Sequence, residues 1–169
     1  MFDDASLATA EMDSPIGPLR LAAIDDGLRA ILFPVQTDIV LPAVHGSRAA
    51  RAHLSATQRA LEQYFAGQPR AFDALTLVPA GTVFQQQVWQ ALRGIPFGET
   101  RSYRDIAEQI DNPKGVRAVG LANGRNPLPV IVPCHRVIGS NGTLTGFAGG
   151  LPTKKWLLEF ENPGTLRLL

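Results

Sequence analysis

Cysteine occurs once in this 169-residue chain, at Cys134. A lone thiol excludes an internal disulfide and any metal site built on paired thiolates. Histidine is scarce too, with His45, His53 and His135 scattered rather than clustered, so a zinc site has no support and no metal is expected. Long apolar runs are missing, and none reaches the length of a membrane-spanning helix. The first residues, MFDDASLATAEMD, are acidic and lack the basic and apolar regions of a signal peptide. Charge of one sign is absent as well. The net charge is +1 with 18% charged and 45% hydrophobic residues, the balance of an ordinary globular protein with no membrane role. A single reactive thiol needs reducing surroundings, so the expected compartment is the cytoplasm.

The small charge that exists is unevenly placed. Residues 1–99 carry 7 Lys+Arg against 10 Asp+Glu, and residues 100–169 carry 9 against 5. The half holding the cysteine is therefore the half that favours a polyanion.

In the first part, residues 7–13, 19–24 and 28–33 alternate as strands. The turns Ser14-Pro15-Ile16-Gly17 and Asp25-Asp26-Gly27 separate them. Residues 34–46 read as loop, and residues 47–66 as a helix stopped by Gly67. Residues 72–79 form a proline-bounded connection, with a domain boundary at Ala80-Gly81. Beyond it, Thr82 and Gln85 fit a capping box for a helix through Val88, Trp89 and Leu92 to Gly94. Ser102 caps a second short helix, with Asp105 three residues on. Pro113 suits the first position of a third, running 114–123 with Ala118, Gly120 and Ala122 as a small-residue face. Two short helices joined by a tight turn make a helix-turn-helix.

The stretch 126–150, NPLPVIVPCHRVIGSNGTLTGFAGG, carries the chemistry. Val130, Ile131 and Val132 read as a short buried strand that presents Cys134 at its end, and Val137-Ile138 lead out. Histidine and arginine directly after the cysteine have no packing rationale, whereas cations beside a thiol favour the reactive thiolate. Cysteine hydrolysis and redox sensing are both open to a lone activated thiol. Neighbouring side chains on a strand diverge, so direct Cys134–His135 contact needs a bend or a bridging water, which disfavours the hydrolase.

The Pro133-Cys134-His135-Arg136 core, preceded by the Asn126-Pro127 loop, resembles the signature of the methylated-DNA–protein-cysteine methyltransferases, which repair 6-O-alkylguanine. The likeness runs from about Val83 to Glu161. With the strands, helices and boundary read above, it gives an α/β protein of the α+β type: a scaffold domain, 1–80, with a small antiparallel sheet and a helix, then a mostly helical DNA-binding and alkyl-accepting domain, 81–169. That second domain would hold the helix-turn-helix and a short strand pair around the cysteine. The implied reaction is irreversible transfer of the alkyl group from 6-O-alkylguanine in double-stranded DNA to Cys134 after base flipping, with 4-O-alkylthymine as a further substrate. No cofactor is implied, and with no second thiol to regenerate Cys134 each molecule reacts once. A non-catalytic binder of alkylated DNA is the rival reading.

Residue by residue, the resemblance makes Cys134 the nucleophile, His135 a base acting through water, and Glu161 the group orienting His135. It makes Tyr103 the donor to the leaving guanine and Asn126 the brace of the active-site turn. Arg117 becomes a finger inserted into the duplex from the minor groove. Ser102, Ala118, Gly120, Asn123, Arg136 and Ser140 join it as DNA contacts. Val137, Phe147, Ala148 and Gly149 would line the base pocket. Phe147 stands where many relatives carry tyrosine and Ala148 where some carry serine, which bears on the range of alkyl groups. The expected state is a monomer in solution, with cooperative assembly on DNA left open.

Overall fold

Local signals decide most elements of the computed structural model, which describes residues 2–165. The chain divides into two compact units, Met1–Ala80 and Gly81–Leu169.

In the first unit, β1 (Ala8–Met12), β2 (Leu19–Ile24) and β3 (Gly27–Leu32) form an antiparallel sheet in the order β1-β2-β3. Its first hairpin is closed by Ser14, whose hydroxyl donates to the Gly17 carbonyl at 2.6 Å. Gly17 adopts φ 95, a conformation that favours glycine. Pairing runs from Ala8 opposite Ala23 to Met12 opposite Leu19, and β2 bulges at Ala22/Ala23 against β3. The connection 72–79 joins the sheet: Leu28 N–H donates to the Thr76 carbonyl, and Val78 N–H to that of Leu28. Helix α1 (Arg48–Phe65) starts at Ser47, which caps Ala50 N–H, and buries Leu54, Ala60, Leu61 and Tyr64.

The second unit is mainly helical. Helix α2 (Val83–Arg93) begins with a capping box between Thr82 and Gln85. After β4 (Arg101–Ser102), helix α3 (Tyr103–Gln109) begins with the same device between Ser102 and Asp105. Helix α4 spans Val116–Gly124 and packs against α2 and α3. The indole N–H of Trp89 on α2 donates to the Ala122 carbonyl of α4 at 2.8 Å, within the core. A three-residue 3₁₀ turn, Cys134–Arg136, follows, and then β5 (Val137–Ile138), which pairs in parallel with β4. Helix α5 (Leu151–Glu161) ends the unit.

Three sequence expectations change here. Helix α4 begins at Val116, not Pro113; residues 113 and 114 lie in a turn and Gly115 is the cap. Its small residues do not share one face, because Ala122 is 3% exposed and points into the core while Ala118 is exposed. The apolar run Val130–Val132 is not a strand. It forms a turn in which Val130 takes φ 73. A run of three apolar residues shows burial but cannot choose between strand and turn. Here Val132 N–H turns back to donate to the Leu128 carbonyl at 2.9 Å, so the run closes on itself instead of pairing with a strand.

Candidate functional site

The turn that carries the thiol is held by one side chain. Asn126 Nδ2 donates to the Val132 carbonyl at 2.7 Å, and its Oδ1 accepts from Leu128 N–H at 2.9 Å. Those two bonds straddle Val130, a β-branched residue in a left-handed conformation that costs on the order of 1–3 kcal/mol. The amide thus holds a strained loop just ahead of Cys134.

Cys134 opens the 3₁₀ turn and is 4% exposed, so the thiol is recessed rather than presented at an open strand end. Burial raises its pKa to about 11, although the Asn126 side chain and the charge of Lys154 pull the other way. At neutral pH the resting group is a thiol, and reaction requires a base.

His135 is fully buried, and its Nε2 lies 2.8 Å from Glu161 Oε2. Glu161, the last residue of α5, also accepts from Arg136 Nε at 2.7 Å and Nη2 at 2.8 Å. Burial by itself would raise the Glu161 carboxyl. The hydrogen bonds and charges of His135 and Arg136 outweigh it and bring the pKa down to about 2. Glu161 is therefore a carboxylate that can only accept, which fixes the imidazole proton on Nε2. Nδ1 becomes the basic nitrogen, and it has no hydrogen-bond partner among the described residues. Burial holds the His135 pKa below its ordinary value against the opposing pull of Glu161. The ring is neutral at pH 7, as a base must be.

Arg136 is 8% exposed, its Nη1 donates to the Ile95 carbonyl at 2.7 Å, and its guanidinium lies over the Phe97 ring at 5.7 Å. The sequence reading places it among the DNA contacts; here every nitrogen of the guanidinium is engaged inside the unit. Asn123, read with the same group, also faces inward. It is 3% exposed, and its amide faces the Cys134 carbonyl at 3.4 Å.

The other expected residues fall on two sides of the turn. Tyr103, half-buried at the start of α3, shares a 2.5 Å hydrogen bond with Thr145 Oγ1. Burial raises its pKa, so the phenol keeps its proton. Val137 is buried, Gly149 is buried, Phe147 is half-buried and Ala148 is exposed along the segment that returns to α5. Arg117 and Ala118 are exposed on α4, Ser140 is exposed, and Ser102 is half-exposed with its hydroxyl oxygen capping α3. Gly120 faces Tyr103, and a methyl group there would meet the ring only at about 3.9 Å. Among the described residues no group of three or more His, Cys, Asp or Glu side chains could hold a metal.

One residue of the site escaped the sequence reading. Lys154 on α5 is 0% exposed, and its Nζ donates to the Val137 carbonyl at 2.7 Å, with the Thr145 carbonyl at 3.4 Å. Burial lowers its pKa to about 8. The signal was present in the spacing: Lys154, Leu157, Leu158 and Glu161 recur at the i, i+3, i+4, i+7 positions of one helix face. Both ends of that apolar stripe are charged and both point at the cysteine turn.

Two family models match the chain. Residues 83–163 match the 6-O-methylguanine DNA methyltransferase DNA binding domain, and residues 8–79 match the ribonuclease-like domain of the same family. A protein of Methanosarcina acetivorans named methylated-DNA–protein-cysteine methyltransferase is 50% identical over 153 residues, covering 90% of this chain and 96% of that one. A protein of the same name from Mycobacterium tuberculosis is 50% identical over 150 residues, covering 89% of each. The crystal structure of Mycobacterium tuberculosis OGT in complex with DNA superposes with a TM-score of 0.79 at 43% identity, covering 95% of this chain and 98% of that one.

Proposed function

The chain belongs to the 6-O-methylguanine DNA methyltransferase family, and on that premise we propose that it repairs duplex DNA by moving the alkyl group of 6-O-alkylguanine onto Cys134 Sγ. The observation that carries this reading is the buried relay behind the thiol. Glu161 fixes the imidazole tautomer and leaves a basic Nδ1 on His135, the residue next to Cys134 in the chain.

The recessed thiol cannot reach a base inside the stack, so the lesion must be extruded. Unpairing costs a few kcal/mol, least for an already mispaired base. Arg117, exposed on α4, would fill the space the base leaves. Ser102, Ala118, Gly120 and Ser140 would lie along the backbone and groove. The flipped base would sit between Val137 and the 147–149 segment, with Phe147 stacking on it and the Cys134 and Val137 carbonyls accepting from its amine. Asn126 holds the strained turn ahead of Cys134 through the Val132 carbonyl, and Lys154 Nζ holds the Val137 carbonyl.

The thiol proton passes to His135 Nδ1 through a bridging water, and the thiolate attacks the alkyl carbon. A sulfur–carbon bond forms as the carbon–O6 bond breaks, and its electron pair stays on the guanine. Tyr103 donates a proton to the leaving base and is recharged from His135. Net, the thiol proton is exchanged for the alkyl group. The thioether is stable and no second cysteine exists to displace it, so the protein is consumed stoichiometrically. The same in-line chemistry extends to 4-O-alkylthymine. In this reading the 1–80 unit is a scaffold and the 81–169 unit binds DNA and accepts the alkyl group. The proposed compartment is the cytoplasm, since the thiol needs reducing conditions. No helix among the described residues is long and apolar enough to cross a membrane.

Intact mass after mixing with one equivalent of duplex containing 6-O-methylguanine tests this directly. Wild type should gain one methyl group and saturate at one equivalent, while Cys134→Ala gains nothing yet still binds. An unchanged mass with intact lesion would overturn the transferase reading, and retained binding would then favour a damage sensor.

A further inference from the structure

Helix α4 carries an outer face that its own stability does not explain. Val119, Ala122 and Asn123 point inward. Arg117, Ala118, Leu121 and Gly124 are exposed, as is Arg125 at the C-cap. Leu121, 62% exposed, stands in the middle. It lies four residues from both Arg117 and Arg125, so the three side chains share one stripe. Lysine, glutamine, glutamate or alanine would serve helix propensity as well as leucine at a solvent position. The helix has no carboxylate, and residues 111–125 carry Lys114, Arg117 and Arg125 against Asp111 alone, a balance that suits a polyanion.

Resting on the DNA-repair reading above, we propose that Leu121 is an apolar wedge of the duplex contact, seated against sugars and base edges of the minor groove beside the Arg117 insertion. The groove is only about 6 Å wide, so a leucine entering it must open it. Apolar side chains inserted there partly unstack base steps, and the wider contact that results offsets the cost. The two side chains divide the work. Arg117 supplies charge and bulk to the vacated stack, and Leu121 supplies apolar contact that releases hydration water without desolvating a charge. Asn123, two residues on, faces the Cys134 carbonyl at 3.4 Å. The depth at which α4 seats in the groove is thereby linked to the position of the sulfur.

The test compares wild type, Leu121→Ala, Leu121→Gln and Arg117→Ala in three measurements. These are affinity for a lesion-free duplex across a salt series, single-turnover transfer from duplex 6-O-methylguanine, and transfer from the free base 6-O-benzylguanine. Both Leu121 variants should bind duplex about tenfold more weakly, equivalent to about 1.4 kcal/mol. The slope of log affinity against log salt should not change, because no phosphate charge is released. Transfer from duplex at subsaturating protein should fall in step, and transfer from the free base should stay at the wild-type rate. Arg117→Ala should instead reduce the salt slope by about one. Binding within twofold of wild type, tighter binding, or a parallel loss with the free base would overturn the inference. A wild type that transfers nothing would instead defeat the repair reading, so the two failures are distinguishable.

Discussion

Replacing Glu161 with glutamine keeps the shape of the side chain and removes its charge. The carboxylate accepts hydrogen bonds from both His135 and Arg136, and its own side chain is 1% exposed. Its pKa falls from an ordinary 4.5 to about 2. At about 1.4 kcal/mol per unit, that difference is worth about 3 kcal/mol of stability above pH 4.5. An unfolded carboxyl takes up its proton at a higher pH than the folded one. The contribution is therefore complete above pH 4.5 and lost as pH falls toward 2. The same size emerges from a second direction, since removing one partner of a buried ion pair costs about 3–5 kcal/mol. Urea unfolding of wild type and Glu161→Gln at neutral pH should differ by about 3 kcal/mol, and the gap should close as pH drops from 4.5 toward 2. Alkyl transfer should slow as well, because an amide can turn either its donor or its acceptor to the imidazole and no longer fixes the proton on Nε2. A gap under about 1 kcal/mol at neutral pH, or one that persists unchanged at pH 2.5, would refute the reasoning.

Two further outcomes follow from the same site. The acid limb of the transfer rate should lie below pH 6.5, the ordinary histidine value, because burial keeps His135 neutral to lower pH; a stopped-flow rate profile with the free base would show it. Lys154→Met should slow transfer at neutral pH by about tenfold or more, the kinetic equivalent of losing a charged hydrogen bond of about 1.5–3 kcal/mol. It should also remove any inflection near pH 8, where the wild-type ammonium loses its proton. An inflection that survives the substitution would assign it to another group.

How much of this was readable in the chain depends on the range of the interaction. Thr82 with Gln85 and Ser102 with Asp105 close their capping boxes across three residues, so the starts of α2 and α3 were legible. The hairpin at Ser14 and Gly17 closes over the same distance. The Cys134-His135-Arg136 core drew attention because its chemistry has no packing rationale. Its geometry was another matter. A strand was expected before Cys134, where the structure has a turn, because three apolar residues report only burial. The left-handed Val130 is imposed by an amide four residues upstream whose partners lie on either side.

Local patterns in the chain set which residues could do chemistry and which short segments would be helices, since caps, turn residues and apolar spacing act within one or two turns of chain. Tertiary structure alone decided that Arg136 and Asn123 face inward and that Leu121 faces out. It also decided that Lys154 closes on Val137 across seventeen residues and Glu161 on His135 across twenty-six. Those pairings follow from α5 docking its one buried face against the cysteine turn. Desolvation there makes an unpaired charge so costly that each must find its partner at once, and no local pattern in the chain records which partner that is.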